Sequence, residues 1–169
     1  FVSEAPKSKP ICSLEELENN DIRLITFTDS EYPSILREIP DSPLLLYAKG
    51  QELGECNPAI AVVGARNASQ MGYEVAHDFA YKLAKAGFTI VSGLALGIDT
   101  YAHRGALEAG GKTIAVLANG IDITYPRSNA KTREKLLKTG AVVSEYAPGV
   151  APLPWYFPIR NRIISGMCI

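Results

Sequence analysis

Residues 89–103 (TIVSGLALGIDTYAH) constrain this chain more than any other stretch. They read as a short β-branched strand, a loop bracketed by Gly93 and Gly97, and a helix opened by Asp99. A strand that passes through glycines into a helix turns backbone N–H groups and a positive helix end toward one spot. That geometry binds anions, phosphate above all.

The surrounding sequence repeats the alternation. Residues 59–63 (AIAVV) form a continuous apolar strand, as a parallel sheet covered on both faces requires. Val75, Ala76, Phe79, Ala80, Leu83 and Ala84 make a helical stripe within residues 72–86, and Gly87 stops it. Further strands at 88–92, 113–117 and 141–144 alternate with helices at 99–109 and 129–139, the last of them basic. Four strands interleaved with three helices predict an α/β fold built on an open, doubly wound, mostly parallel sheet. Upstream, Ser13 and Glu16 form a capping box for a short helix. Residues 22–28 and 44–48 read as strands with a helical turn at 32–39 between them, and 51–58 as a junction. The chain divides accordingly into residues 1–21, the remnant of an N-terminal helical segment or linker; 22–58, an N-terminal extension; and 59–169, the α/β core. A helix that begins at Arg160 with no strand after it predicts that this core is truncated at its C-terminal end.

Composition narrows the function classes. A hydrophobic share of 47% and a charged share of 21% are ordinary for a soluble globular protein. No apolar run approaches the roughly 18 residues of a membrane span, and the first residues lack the regions of a signal peptide. Cys12, Cys56 and Cys168 are scattered, without metal-ligand spacing, and read as reduced thiols of a cytoplasmic protein that holds no metal. Residues 1–58 carry 5 Lys/Arg against 11 Asp/Glu, whereas residues 59–169 carry 12 against 7. The basic second segment suits an anionic partner, although surface composition alone gives the same balance.

In such sheets, ligands sit outside the carboxyl ends of the strands. Those ends are Gly64 to Arg66, Ser92 with Gly93, Asn119 with Gly120, and Ser144 with Glu145. Glycine lets a backbone approach a ligand closely, and any tight turn also selects it. Arg66 is the single charge best placed to face an anion, which it can pair bidentately. The first strand is followed by GARNASQMG (64–72) rather than G-x-G-x-x-G, and the second ends in Ser92 rather than an acid, so no dinucleotide cofactor is expected. Lys112 and Thr113 resemble a P-loop tail but follow a helix and precede a strand, the reverse of what a P-loop needs. Asp99 and His103 share a helical face as an acid–base pair would. The plainer account makes Asp99 the helix cap and leaves His103 on or near the surface, so no catalytic set emerges. In the basic stretch 127–138, Arg127 and Lys131 are the better ligand candidates and the remainder a solvated face. Residues 155–162 (WYFPIRNR) set aromatics beside arginines, as single-stranded nucleic-acid sites do. Packing of Trp155 against the sheet explains that residue equally well.

The motifs VGAR (63–66), SGLALGID (92–99), AHRGA (102–106), Tyr125-Pro126 with Asn129, Ser144-Glu145 and FPIRNRIISG (157–166) follow one another at spacings that resemble the DNA-processing protein A (DprA/Smf) family. Upstream, Tyr32-Pro33, Pro43, Leu46-Tyr47 and Lys49-Gly50 resemble the run that precedes that family's core, so the resemblance covers residues 22–169. It implies an extended Rossmann-like fold that binds single-stranded DNA and delivers it to the RecA recombinase in natural transformation and recombination, without turnover or cofactor. On this resemblance Arg66 holds a DNA phosphate, while Gly64, Ser92, Gly93 and Gly97 offer backbone N–H groups beside Asn119. Arg127 or Lys131, Phe157, Arg160 and Arg162 complete a basic groove. The family's core continues past Gly166 through elements that usually carry the dimerisation and RecA-contacting surfaces, so a homodimer stays an open expectation. The competing expectation is a nucleoside-monophosphate phosphoribohydrolase of the lysine-decarboxylase-like type on a related scaffold, but its P-G-G-x-G-T motif is absent from the sequence. A third is a protein-interaction module whose acidic first segment docks a partner.

Overall fold

Four of the apolar runs become neighbouring parallel strands. The computed structural model describes residues 12–53 and 58–169, so expectations for residues 1–11 and 54–57, Cys56 among them, lie outside the described residues. The strands are β1 (Arg23–Thr26), β2 (Leu45–Gly50), β3 (Ala59–Ala61), β4 (Thr89–Ser92), β5 (Thr113–Leu117) and β6 (Ala141–Ser144). They form one sheet in the order β1-β2-β6-β5-β4-β3. β3 to β6 run parallel, β2 pairs antiparallel with β6, and β1 pairs antiparallel with β2. The helices are α1 (Leu14–Asn19), α2 (Ser34–Arg37), α3 (Gln70–Lys85), α4 (Ile98–Glu108), α5 (Ala130–Thr139), which continues from a 3₁₀ turn (Arg127–Asn129), and α6 (Tyr156–Gly166).

The sheet is covered on both faces. β3 to β6 lie side by side in chain order, so right-handed crossovers put α3, α4 and α5 on one face. Strand alternation divides the core accordingly. Ile114 and Val116 pack with Leu36, Ile163 and Met167 of the α2–α6 side. Ala115, Leu117 and Val142 pack with Leu136 of α5, while Ile90 joins Ala80, Ala102 and Ala106 of α3 and α4. β1 and β3 are the edge strands of this sheet, and on β3 the Ala59 carbonyl accepts the N–H of the last residue, Ile169, at 3.2 Å.

Local signals explain most element ends. Ser13 Oγ accepts the Glu16 N–H at 3.1 Å while the Glu16 carboxylate accepts the Ser13 N–H at 2.8 Å, the reciprocal box read from the sequence. Gly87, at φ 93°, stops α3 as expected. That helix starts earlier than residue 72, because Ser69 caps it by accepting the Gly72 N–H. Its buried face is also narrower than the predicted stripe: Ala76, Ala80 and Ala84 are buried, whereas Val75 and Phe79 are 50% and 61% exposed. Small residues let α3 approach α4 closely, and a Cβ on Gly105 would sit 3.0 Å from the His77 carbonyl carbon. α6 begins at Tyr156 rather than Arg160, since Pro158 falls in the first turn, where a missing N–H costs nothing. No described helix is long and apolar enough to cross a membrane.

Candidate nucleic-acid interface

A cleft of about 270 Å³ opens at the carboxyl edge of the parallel strands, where the loops after β3 and β4 face the start of α6. Gly64, Arg66, Ala95, Asp99, Phe157 and Arg160 line it, together with neighbouring residues.

The sequence predicts that the loop after β4 offers its N–H groups to an outside anion, but the chain supplies that anion itself. Asp99 is 5% exposed, and its Oδ2 accepts the N–H groups of Gly93 at 3.1 Å and Ala95 at 3.4 Å. The Ile98 N–H, first of α4, donates to the Ala65 carbonyl at 3.2 Å. Asp99 is therefore not the helix cap: Gly97 holds that position at φ 80°, and Asp99 folds back from the first turn onto the preceding loop. Glycine is required at 97, because a Cβ there would strike the Ala65 carbonyl oxygen and lie 2.6 Å from that of Arg66. Gly64 is equally confined, its absent Cβ lying 2.7 Å from Ile98 Cγ1. Ser92 is buried and its Oγ donates to the Val62 carbonyl at 2.6 Å, locking β4 to β3. Asn129 ties α5 to the same loop, its Nδ2 donating to the Leu94 carbonyl at 2.9 Å and Thr100 Oγ1 at 2.8 Å.

Arg160 forms the floor. It is 3% exposed, and its Nη1 donates to the Gly93 carbonyl at 2.9 Å and to the Val116 carbonyl. Its guanidinium lies flat against Gly93, whose absent Cβ would come 2.6 Å from Cζ and Nη1. The glycine at 93 thus serves the arginine. Burial lowers the Arg160 pKa to about 10, with Asp99 opposing and Arg66 adding to the fall. Burial likewise raises the Asp99 carboxyl, against the pull of Arg160 and the N–H groups of Ala95, Gly64 and Gly93. Both shifts follow from desolvation outweighing mutual attraction. Arg160 still carries its charge at neutral pH. His103, expected on or near the surface, is fully buried on the inner side of α4, where its ring nitrogen Nδ1 lies 2.7 Å from Thr113 Oγ1.

The exposed groups sit on the rim. Arg66 carries no ion pair among the described residues, and its guanidinium stands 4.5 Å from the Phe157 ring centroid. The Tyr125 ring, 43% exposed, lies 6.0 Å from that of Phe157, and Trp155 is 60% exposed nearby in sequence. Arg127 follows Tyr125 by two residues, exposed and equally without an ion pair among the described residues. Three predicted residues are placed elsewhere. Arg162 donates from Nη2 to both carboxylate oxygens of Glu145 at 2.7 Å and pairs through Nε with Asp41 at 3.0 Å. Asn119 turns inward, donating from Nδ2 to the carbonyls of Gly120 and Ile123. Lys131 lines a separate groove with Arg104 and Lys135. The sequence reading missed Tyr125, an aromatic two residues before a candidate cation, and the role of Asp99 as the loop's internal anion. Among the described residues, no group of three or more His, Cys, Asp or Glu side chains could hold a metal.

Sheet and cleft together define an α/β, Rossmann-like protein whose carboxyl-edge cleft is lined by cations and aromatic rings. Residues 23–169 match the family described as DNA recombination-mediator protein A. The chain belongs to that family. It is 46% identical over 140 residues to the DNA processing protein DprA of Streptococcus pneumoniae, covering 83% of this chain and 49% of the relative. It is 40% identical over 172 residues to the protein Smf of Synechocystis, covering 99% and 43%. The chain therefore spans about half the length of the curated relatives it matches. Among solved structures, the crystal structure of Streptococcus pneumoniae DprA superposes with a TM-score of 0.82 at 40% identity, over 93% of this chain and 56% of that one. DNA processing protein A of Helicobacter pylori, whose structure concerns its binding mode for single-stranded DNA, gives a TM-score of 0.75 at 28% identity over 86% and 66%.

Proposed function

We propose that this chain binds single-stranded DNA in the carboxyl-edge cleft, as a binding protein rather than an enzyme. The observation that carries the reading is Arg66, an exposed cation without an ion pair among the described residues, held over Phe157, whose ring also meets that of Tyr125. A cation for the backbone next to ring faces for bases is the combination that single-stranded sites need. Arg160 adds a buried positive charge beneath the cleft, and the glycine loops keep the walls close. Kinship with the Helicobacter pylori protein supports the same ligand. The same proposal has the bound strand passed to the RecA recombinase during DNA uptake and recombination in the cytoplasm. No observation favours the phosphoribohydrolase alternative.

The test is fluorescence anisotropy of a labelled oligonucleotide across a salt series. Arg66→Ala should weaken binding by about 1–3 kcal/mol and flatten the salt slope by about 1. Phe157→Ala should weaken it by about 1–3 kcal/mol for a lost base stack, with the salt slope unchanged. Affinity unaltered by either substitution removes the site.

A further inference from the structure

A second concave surface, of about 530 Å³, lies on the helical face between α4 and α5. Tyr101, Arg104, Leu107, Lys131, Thr132 and Lys135 line it. Tyr101 stacks on Tyr73, ring centroids 4.6 Å apart and 6° from parallel, and the Arg104 guanidinium rests 5.4 Å from the Tyr101 centroid. The arginine is thus a cation held in place by an aromatic platform rather than by a carboxylate. Lys131 and Lys135 stand one turn apart on α5, about 6 Å along its axis. Arg104, Lys131 and Lys135 make no ion pair among the described residues, unlike Arg23, Lys82 and Arg162. The groove's carboxylate, Glu108, is already bonded to His77 Nε2 at 2.9 Å. The groove therefore holds three cations without an ion pair among the described residues against one carboxylate.

In sequence, Arg127 stands between the cleft's aromatic rim and the groove. Arg127 precedes Lys131 by four residues and follows Tyr125, whose ring meets Phe157. Lys131 and Lys135 are four apart within α5, which keeps them on one side of that helix, and Arg127 lies in the 3₁₀ turn that leads into it. Spaced single charges along a ridge match a ligand that carries a charge on every unit, and a small nucleotide would leave most of them idle.

We propose that the α4–α5 groove is a second, sequence-independent contact surface for the phosphates of single-stranded DNA, taking nucleotides beyond those held in the cleft. The proposal rests on the cleft being the primary site. It is tested with the full chain and two labelled single-stranded oligonucleotides. One has about 6 nucleotides, enough for the cleft alone, and the other about 20, within the range that such grooves jointly span. The triple variant Arg104→Ala, Lys131→Ala, Lys135→Ala changes exposed side chains only. It should bind the short strand within about twofold of the parent, yet bind the long one about 10–100-fold more weakly with a salt slope lower by about 2. Equal loss for both strands, unchanged affinity for the long one, or a loss confined to duplex DNA of the same length overturns the proposal. Arg66→Ala serves as the separate control. If it leaves the short strand's affinity intact, the cleft assignment fails, whereas the length-dependent loss in the triple variant still reports on the groove.

Discussion

His103→Gln probes the packing beneath the site by way of acid stability. Nδ1 of His103 lies 2.7 Å from Thr113 Oγ1, whose one proton goes to the Ile90 carbonyl at 2.8 Å. The hydroxyl oxygen therefore accepts from Nδ1–H, and Nε2 is left as a buried atom without a partner. Protonation would bury an N–H with no acceptor. Burial first, and the Arg160 charge second, pull the pKa from 6.5 down to about 3. The native state thus binds fewer protons than the unfolded chain between those values. Stability that is fully present above the unfolded pKa is lost as pH falls toward the folded one. At 1.36 kcal/mol per unit, the loss at pH 5 relative to pH 8 is about 2 kcal/mol. Urea unfolding followed by circular dichroism across that range measures it. Asp99 works with the opposite sign, because its raised pKa makes the native state take up its proton first as pH falls. Its contribution is common to both proteins and cancels in the comparison. Glutamine does not titrate, so the parent's stability relative to His103→Gln should fall by about 2 kcal/mol between pH 8 and pH 5. Parallel pH profiles for the two proteins would refute this account of His103.

Two further substitutions test the loop after β4. Gly93→Ala sets a Cβ against the pinned Arg160 guanidinium and should cost about 1–3 kcal/mol in urea unfolding; a neutral result would mean that the arginine is free to move. Asp99→Ala strips the acceptor from the N–H groups of Gly93 and Ala95 and should cost about 1.5–3 kcal/mol. Sulfate should stabilise the variant by more than the parent, relative to chloride at equal ionic strength, and equal gains in the two would show that the loop is not an anion cradle.

The fold was legible wherever a short-range rule decides the outcome. Apolar runs at 59–63, 113–117 and 141–144 contain β3, β5 and β6, because a strand buried on both faces needs no polar alternation. The box at Ser13 and the stop at Gly87 are contained within four or five residues. The choice between Val75 or Phe79 and the alanines of α3 was not legible, since it depends on how closely α4 approaches, and Gly105 sets that distance from another helix. The site divides in the same way. Arg66 and Phe157 were visible as residue types at strand and helix ends, and the structure brings them to 4.5 Å. Arg160 and Arg162 look alike in the sequence yet differ in fate. Position 160 faces the gap over Gly93, and position 162, two residues round the helix, meets Glu145 and Asp41. No rule of composition or spacing separates them without the partners' positions.

The self-filled loop also decides what kind of ligand the cleft can favour. Where backbone N–H groups are free, a phosphate is gripped at fixed points, and the site selects one small nucleotide in one pose. Here Asp99 holds the N–H groups of Gly93 and Ala95, the Ala65 carbonyl holds that of Ile98, and Arg160 Nη1 is committed to two carbonyls. Of the cationic side chains that line the cleft, Arg66 is exposed and without an ion pair among the described residues. Long cationic side chains tolerate displacement of the charge they meet, and aromatic faces accept any base. Such a rim discriminates weakly among bases but responds to how many phosphates are presented in a row. That favours a continuous strand over a mononucleotide, and it accounts for the absence of the dinucleotide and P-loop fingerprints from a chain that keeps their strand–loop–helix geometry.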